Sequence, residues 1–126
     1  MNSGPAVSET FSRDDRLRKR REFEECYATG VRVTGRHIQV FLLAGRPGGR
    51  PRLGISVPRR VGNAVARNRV RRRLREIFRR NRAVLPPGGF DLAVNARPSA
   101  SSAAFSELGE DYRSAVSRAL SRLPAK

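Results

Sequence analysis

A chain of 126 residues has room for one domain around one modest core, and not for two. Its 27 basic against 11 acidic residues leave a net charge of +16, so the expected partner is a polyanion, with nucleic acid foremost. The single cysteine, Cys26, excludes an intramolecular disulfide and any multi-cysteine zinc site, and is expected to be a buried free thiol. All but two of the basic residues, Lys19 and Lys126, are arginine, whose planar fork suits phosphates and base edges. No apolar run reaches the roughly 18 residues of a membrane helix, and no basic-then-apolar segment opens the chain. Neither a membrane partner nor a secretory signal is therefore expected, and the expected location is the cytoplasm.

Residues 1–15 mix small, polar and acidic residues without a period and read as a flexible extension, leaving residues 16–123 as a single domain. Over 17–29, Phe23, Cys26 and Tyr27 fall at helical spacing, and Gly30 stands where a C-terminal cap would. Residues 31–34 make a short strand. In 36–43, Ile38, Val40 and Leu42 alternate with His37, Gln39 and Phe41, the pattern of a strand with one side in the core. The turn-forming run 45–51 (GRPGGRP) leads into a second alternation, Leu53, Ile55 and Val57, and the two strands read as a hairpin. Gly62 and Asn63 supply a turn and an N-cap for a helix over 63–82, which stops before Pro86 and Pro87. Residues 90–96 alternate again, with Leu92 and Val94 on one side. From Ser102, Phe105, Leu108, Tyr112, Val116, Leu120 and Leu123 keep helical spacing. The order α-β-β-β-α-β-α predicts an α+β fold, a two-layer sandwich with helices on one face of a small mixed sheet. The strand–helix–strand step through 53–96 implies a parallel pair.

On the helix over 63–82, Ala66, Val70, Leu74, Ile77 and Phe78 form one apolar stripe, with Asn68, Arg72, Arg75 and Arg79 on the opposite side. Between Arg59 and Arg82 there are 11 arginines and one acid, Glu76, with Arg72, Arg73 and Arg80 within helical reach of it. Like charges four residues apart cost a helix about 0.2–0.5 kcal/mol per pair, so Arg71 with Arg75, or Arg75 with Arg79, points to an anionic partner that offsets the repulsion. Binding of that kind weakens steeply with salt.

Phe41 lies with His37 and Gln39 on the strand face turned away from the core. Two arrangements are open there: a platform on which bases stack, or a first helix packed over that face, burying Phe23, Tyr27 and Phe41. His37 is the only histidine, with no second imidazole or cysteine pair near it, so neither a metal site nor a catalytic role is expected of it. No phosphate-cradling loop, nucleophile elbow or paired acids stand in the chain. The protein reads as a binder without catalytic residues.

The segment 53–78, LGISVPRRVGNAVARNRVRRRLREIF, resembles the protein subunit of bacterial ribonuclease P. The resemblance rests on the strand Gly54, Ile55, Ser56 and Val57, the pair Arg59 and Arg60, the G-N-A-V run from Gly62, and R-N-R at Arg67, Asn68 and Arg69. It extends to the first helix, ending in Gly30, and to Ala96, Arg97 and Pro98. It implies an auxiliary role: a large RNA subunit with bound magnesium cleaves precursor tRNA to release its 5′ leader, and the protein supplies affinity. By position, Arg59, Arg60, Asn63, Arg67, Asn68, Arg69, Arg71, Arg72, Arg75 and Arg79 are expected to contact the catalytic RNA. Phe23, Tyr27, Phe41 and Ser56 are expected to hold the single-stranded leader in a cleft between the first helix and the sheet. The same resemblance implies a left-handed crossover between the parallel strands, against the usual preference. Pro58, where a small polar or basic residue is more familiar, and Arg20, expected at the position before the first helix where a capping residue is usual, depart from the pattern. Magnesium is expected on the RNA, and no obligate protein partner is expected. A ribosomal or ribosome-assembly protein would share the charge, size and fold type, and is distinguished by its substrate. A stand-alone nuclease would need acids or histidine that this chain does not offer.

Overall fold

A computed structural model describes residues 16–46 and 49–123; the extension expected over 1–15 lies outside them. The elements are α1 (Arg20–Thr29), β1 (Val31–Thr34), β2 (Ile38–Arg46), β3 (Arg52–Ser56), α2 (Ala64–Arg80), β4 (Gly89–Ala96) and α3 (Phe105–Ser121). Short 3-10 turns stand at Arg59–Val61, Arg82–Val84 and Pro98–Ser101. The α+β class and the α-β-β-β-α-β-α order hold. The first helix starts at Arg20, later than its apolar spacing suggests. Arg20 is therefore the first helical residue and Lys19 the cap position, and the entry is held by Glu22, whose carboxylate accepts the amides of Arg18 (2.9 Å) and Lys19 (3.0 Å).

The sheet order is β1-β2-β4-β3, with β3 and β4 parallel and the other pairs antiparallel. The parallel step through 53–96 is thus present, but the hairpin expected of β2 and β3 is not: β4 lies between them. The reason is burial. Leu92 and Ala93 are 0 % exposed and Val94 1 %, so β4 is shielded on both faces and fits the centre, where both edges are hydrogen-bonded. Alternation in the sequence identifies strands but does not say which neighbour each one takes.

Helices α2 and α3 cover one face of the sheet and close the main core, with Leu74, Ile77 and Phe78 of α2 and Leu108, Tyr112 and Val116 of α3 meeting Ile38, Val40 and Leu42. Asp111 of α3 ties the β1–β2 turn down by accepting the amides of Arg36, His37 and Ile38 at 2.9, 2.8 and 3.1 Å. A Cβ on Gly35 would fall 2.5 Å from that carboxylate, so the turn needs a glycine. The expectation that every helix lies on one face needs correction: α1 lies on the other. There Cys26, fully buried, joins Leu17, Phe41 and Ala93 in a second, smaller cluster. The side chain of Ala93 is short enough to admit a helix above it.

Candidate nucleic-acid interface

The outer face of the sheet is built in cross-strand rows. Register pairs Phe41 with Ala93 and Ala93 with Gly54, while two residues further along Gln39 pairs with Asn95 and Asn95 with Ser56. Helix α1 lies across the first row and leaves the second uncovered. It is fixed at both ends. At one end Arg52 reaches from β3 to Asp91 Oδ2 and to Glu22 Oε2, each at 2.9 Å. At the other, the Tyr27 hydroxyl donates to Asn95 Oδ1 at 3.1 Å. Partial burial alone would raise the Glu22 carboxyl. The Lys19 and Arg18 amides and the Arg52 charge outweigh it and bring the group to about 2. Burial, and next the Asp91 charge, push the Cys26 thiol up to about 11, so this buried cysteine is inert packing.

Between these fixings lie the three rings. Tyr27 stands edge-on to Phe41 with centroids 4.8 Å apart, and Phe23 follows at 6.4 Å from Tyr27. The two arrangements left open for this face are both partly realised. Phe41 is buried at 8 % exposure and Phe23 half-buried, while Tyr27 remains 39 % exposed. A Cβ on Gly54 would come within 2.5 Å of the Phe23 ring, so the glycine is the seat of that ring. Burial also raises the Tyr27 phenol, which is therefore protonated and able to donate. Ser56 is partly exposed on β3, beside Asn95.

The second surface is α2. Asn63 caps it as its position suggests, its Oδ1 accepting the Ala66 amide at 2.9 Å. Val70, Leu74, Ile77 and Phe78 are buried, and Asn68, Arg69 and Arg72 are exposed. Arg71 donates to Asn68 Oδ1 at 3.3 Å. Arg75 is partly buried; that burial, and then the charges of Arg16 and Arg71, lower its affinity for its proton. Glu76 binds Arg79 and, at 2.6 Å, Arg80, rather than Arg72 or Arg73. Those two hydrogen bonds hold its carboxyl at about 2. Arg79 is thus engaged within the helix, whereas Arg59 and Arg60 stand exposed on the turn before it. The Arg67 Nε is buried without an acceptor among the described residues.

Sequence reasoning missed Asn95, Arg52 and Gly54 as parts of the site. Asn95 carried a signal: it alternates with Leu92 and Val94, which puts it on the face of Phe41. The Arg52 bridge carried none, since its partners are 30 and 39 residues away. Among the described residues no three His, Cys, Asp or Glu side chains gather to hold a metal ion. The two buried acids are engaged elsewhere, Asp91 with Arg52 and Asp111 with the amides of Arg36, His37 and Ile38. His37 sits against Ser99, Nδ1 to Oγ 2.8 Å, at the end of the sheet. No helix of the described residues is long and apolar enough to cross a membrane.

Comparison with known proteins points to one family. The family model described as Ribonuclease P matches residues 11–120. The ribonuclease P protein component of Acidothermus cellulolyticus is 43% identical over 77% of this chain and 81% of its own length. That of Kocuria rhizophila is 41% identical over 85% and 93%. Among solved structures, the Thermotoga maritima RNase P protein superposes with a TM-score of 0.71 at 35% identity, covering 82% of this chain and 96% of its own. The Staphylococcus aureus protein gives 0.73 at 28% identity, covering 83% and 94%.

Proposed function

The chain belongs to the ribonuclease P protein family, and from that premise we propose how its two surfaces divide the work. As a member it is the auxiliary subunit of a ribonucleoprotein endoribonuclease, working with the RNase P RNA in removal of tRNA 5′ leaders. The catalyst is the RNA, with its metal ions; magnesium is the ion we assign to it. In our reading α2, with Arg67, Asn68, Arg69, Arg71, Arg72 and Arg75, and the preceding turn, with Arg59, Arg60 and Asn63, dock the catalytic RNA; Arg79 adds charge while paired to Glu76. The groove between α1 and the sheet holds the leader of precursor tRNA, with Tyr27 as the stacking ring and Phe23, Phe41 and Ser56 around it. Residues 16–123 act as one unit in the cytoplasm.

The observation that carries this division is the exposed Tyr27 ring, fixed over an uncovered polar row of the sheet, on a face of the sheet opposite to the one that α2 packs against. Stacking on such a ring is indifferent to base identity, because every base has a π-face, and it requires an unpaired strand, as a leader is. Guanidiniums on α2 instead meet phosphates, which folded RNA presents at high density. The ribosomal alternative is not favoured by the relatives. The test mixes the protein with an RNase P RNA and leader-bearing precursor tRNA at magnesium too low for the RNA alone. Cleavage should rise on adding protein, and affinity for leader-bearing tRNA should rise more than for leaderless tRNA. No rate increase would defeat the proposal.

A further inference from the structure

Among the described residues only two large apolar side chains stand exposed, Tyr27 and Val65, and Val65, at 73 %, is the more open. A single exposed valine is ordinary on a protein surface. Its neighbours make this one informative. Val65, Asn68, Arg69 and Arg72 are all exposed and follow one another at i, i+3, i+4 and i+7, so they share one face of α2 over about 10 Å of its axis. Ala64, also exposed, widens the apolar patch, and Arg59 and Arg60 stand exposed on the turn before it. The patch thus has guanidiniums at both ends. Asn68 is oriented as well. Arg71 Nη1 donates to its side-chain oxygen at 3.3 Å, and since a guanidinium only donates, the amide nitrogen faces the other way. The Nδ2 donor is thereby left for a ligand, one turn along from Val65.

An apolar side chain set among phosphate-binding groups has to meet a part of RNA other than phosphate. Valine has no π-face on which an unpaired base could stack. The deep, narrow major groove of an A-form helix is closed to side chains, whereas its minor groove is wide and shallow and displays ribose 2′-hydroxyls and base edges. There the ribose carbons offer Val65 an apolar surface, and a 2′-hydroxyl offers Asn68 an acceptor. We propose that this face of α2 lies across the minor groove of a duplex in the catalytic RNA, with Val65 against the riboses, Asn68 donating to a 2′-hydroxyl, and Arg59, Arg60 and Arg72 meeting the phosphates on either side. This rests on the docking role given to α2 above and names the element on which it docks. It also supplies a preference for RNA over DNA that charge alone does not, because a DNA duplex has no 2′-hydroxyl and a narrower minor groove.

The test titrates the protein against RNase P RNA, without tRNA, at three salt concentrations. Val65→Ala should lower affinity about fivefold, on the scale of an apolar contact cut back by valine's methyl groups. It should leave the slope of log affinity on log salt unchanged, because no phosphate contact is lost. Since the position is exposed and alanine favours helix, the melting temperature should not fall. A second arm uses RNase P RNA with 2′-deoxy nucleotides scattered through it and separates bound from free molecules. Positions at which the deoxy sugar weakens binding should fall within one duplex, and Asn68→Ala should abolish the effect at one of them. Full affinity for Val65→Ala, a loss that comes with a shallower slope, or interference confined to unpaired nucleotides overturns the minor-groove contact while leaving α2 as the docking surface. Affinity and slope that also survive Arg72→Ala with Arg75→Ala overturn the docking role itself.

Discussion

Of the two rings it is Tyr27, 39 % exposed against 8 % for Phe41, that we propose as the stacking ring, because the first helix leaves more of it open. Phe41 is the more buried of the two and packs against Tyr27 with the ring planes 72° apart. Tyr27→Ala should therefore lower affinity for leader-bearing precursor tRNA by the equivalent of about 1–3 kcal/mol, the worth of one stacked base, and leave leaderless tRNA unaffected. Equal losses for both substrates in a binding titration would contradict that role. Phe41→Ala should weaken leader binding too, but together with thermal stability, since it empties a buried position. Tyr112 poses a different question at the same scale. It is 1 % exposed in the main core, and its hydroxyl has no acceptor among the described residues. Tyr112→Phe should leave the melting temperature unchanged or raise it, because the deleted hydroxyl was buried at a cost of about 1–3 kcal/mol. A clear fall in melting temperature would show that the hydroxyl has a partner.

Helix α1 rests on the sheet through a small apolar cluster, so the Arg52 bridge between Glu22 and Asp91 matters more to it than a surface ion pair would. Glu22 has its carboxyl brought down from 4.5 to about 2 in the fold. Because the folded value is the lower one, the stabilisation is complete above the ordinary value and is lost as pH falls from about 4.5 toward 2. Arg52→Met should destabilise the protein at neutral pH, and its deficit relative to wild type should shrink on acidification through that window. A deficit constant with pH, measured by denaturant unfolding, would remove Glu22 from the account. Helix α2 has the opposite character, anchored by a full apolar stripe and free to present charge. Arg72→Ala with Arg75→Ala should weaken assembly with the catalytic RNA and make the slope of log affinity on log salt shallower by about 2, one for each phosphate left without its guanidinium. An unchanged slope would place those arginines away from phosphates.

At the scale of the whole molecule, the net charge is +16, and the two surfaces we propose for recognition differ in kind. Affinity for the catalytic RNA should fall steeply with salt, whereas the advantage of leader-bearing over leaderless tRNA, carried mainly by stacking, should fall less. Titrations at three salt concentrations check this; parallel declines would mean that the groove, too, works by charge. The arginine stripe, the Asn63 cap, the core of Ile38, Val40 and Leu42, and the outward turn of Phe41 were legible in the sequence, because periods of 3.6 and 2 are local properties of the chain. The R-N-R segment pointed to the family for the same reason, since it is contiguous. Strand order, the placement of α1 on the outer face, the Arg52 bridge and the row joining Gln39, Asn95 and Ser56 were decided only by the tertiary structure. Each depends on residues tens of positions apart meeting across the sheet, and on β4 taking a central place because it is shielded on both faces.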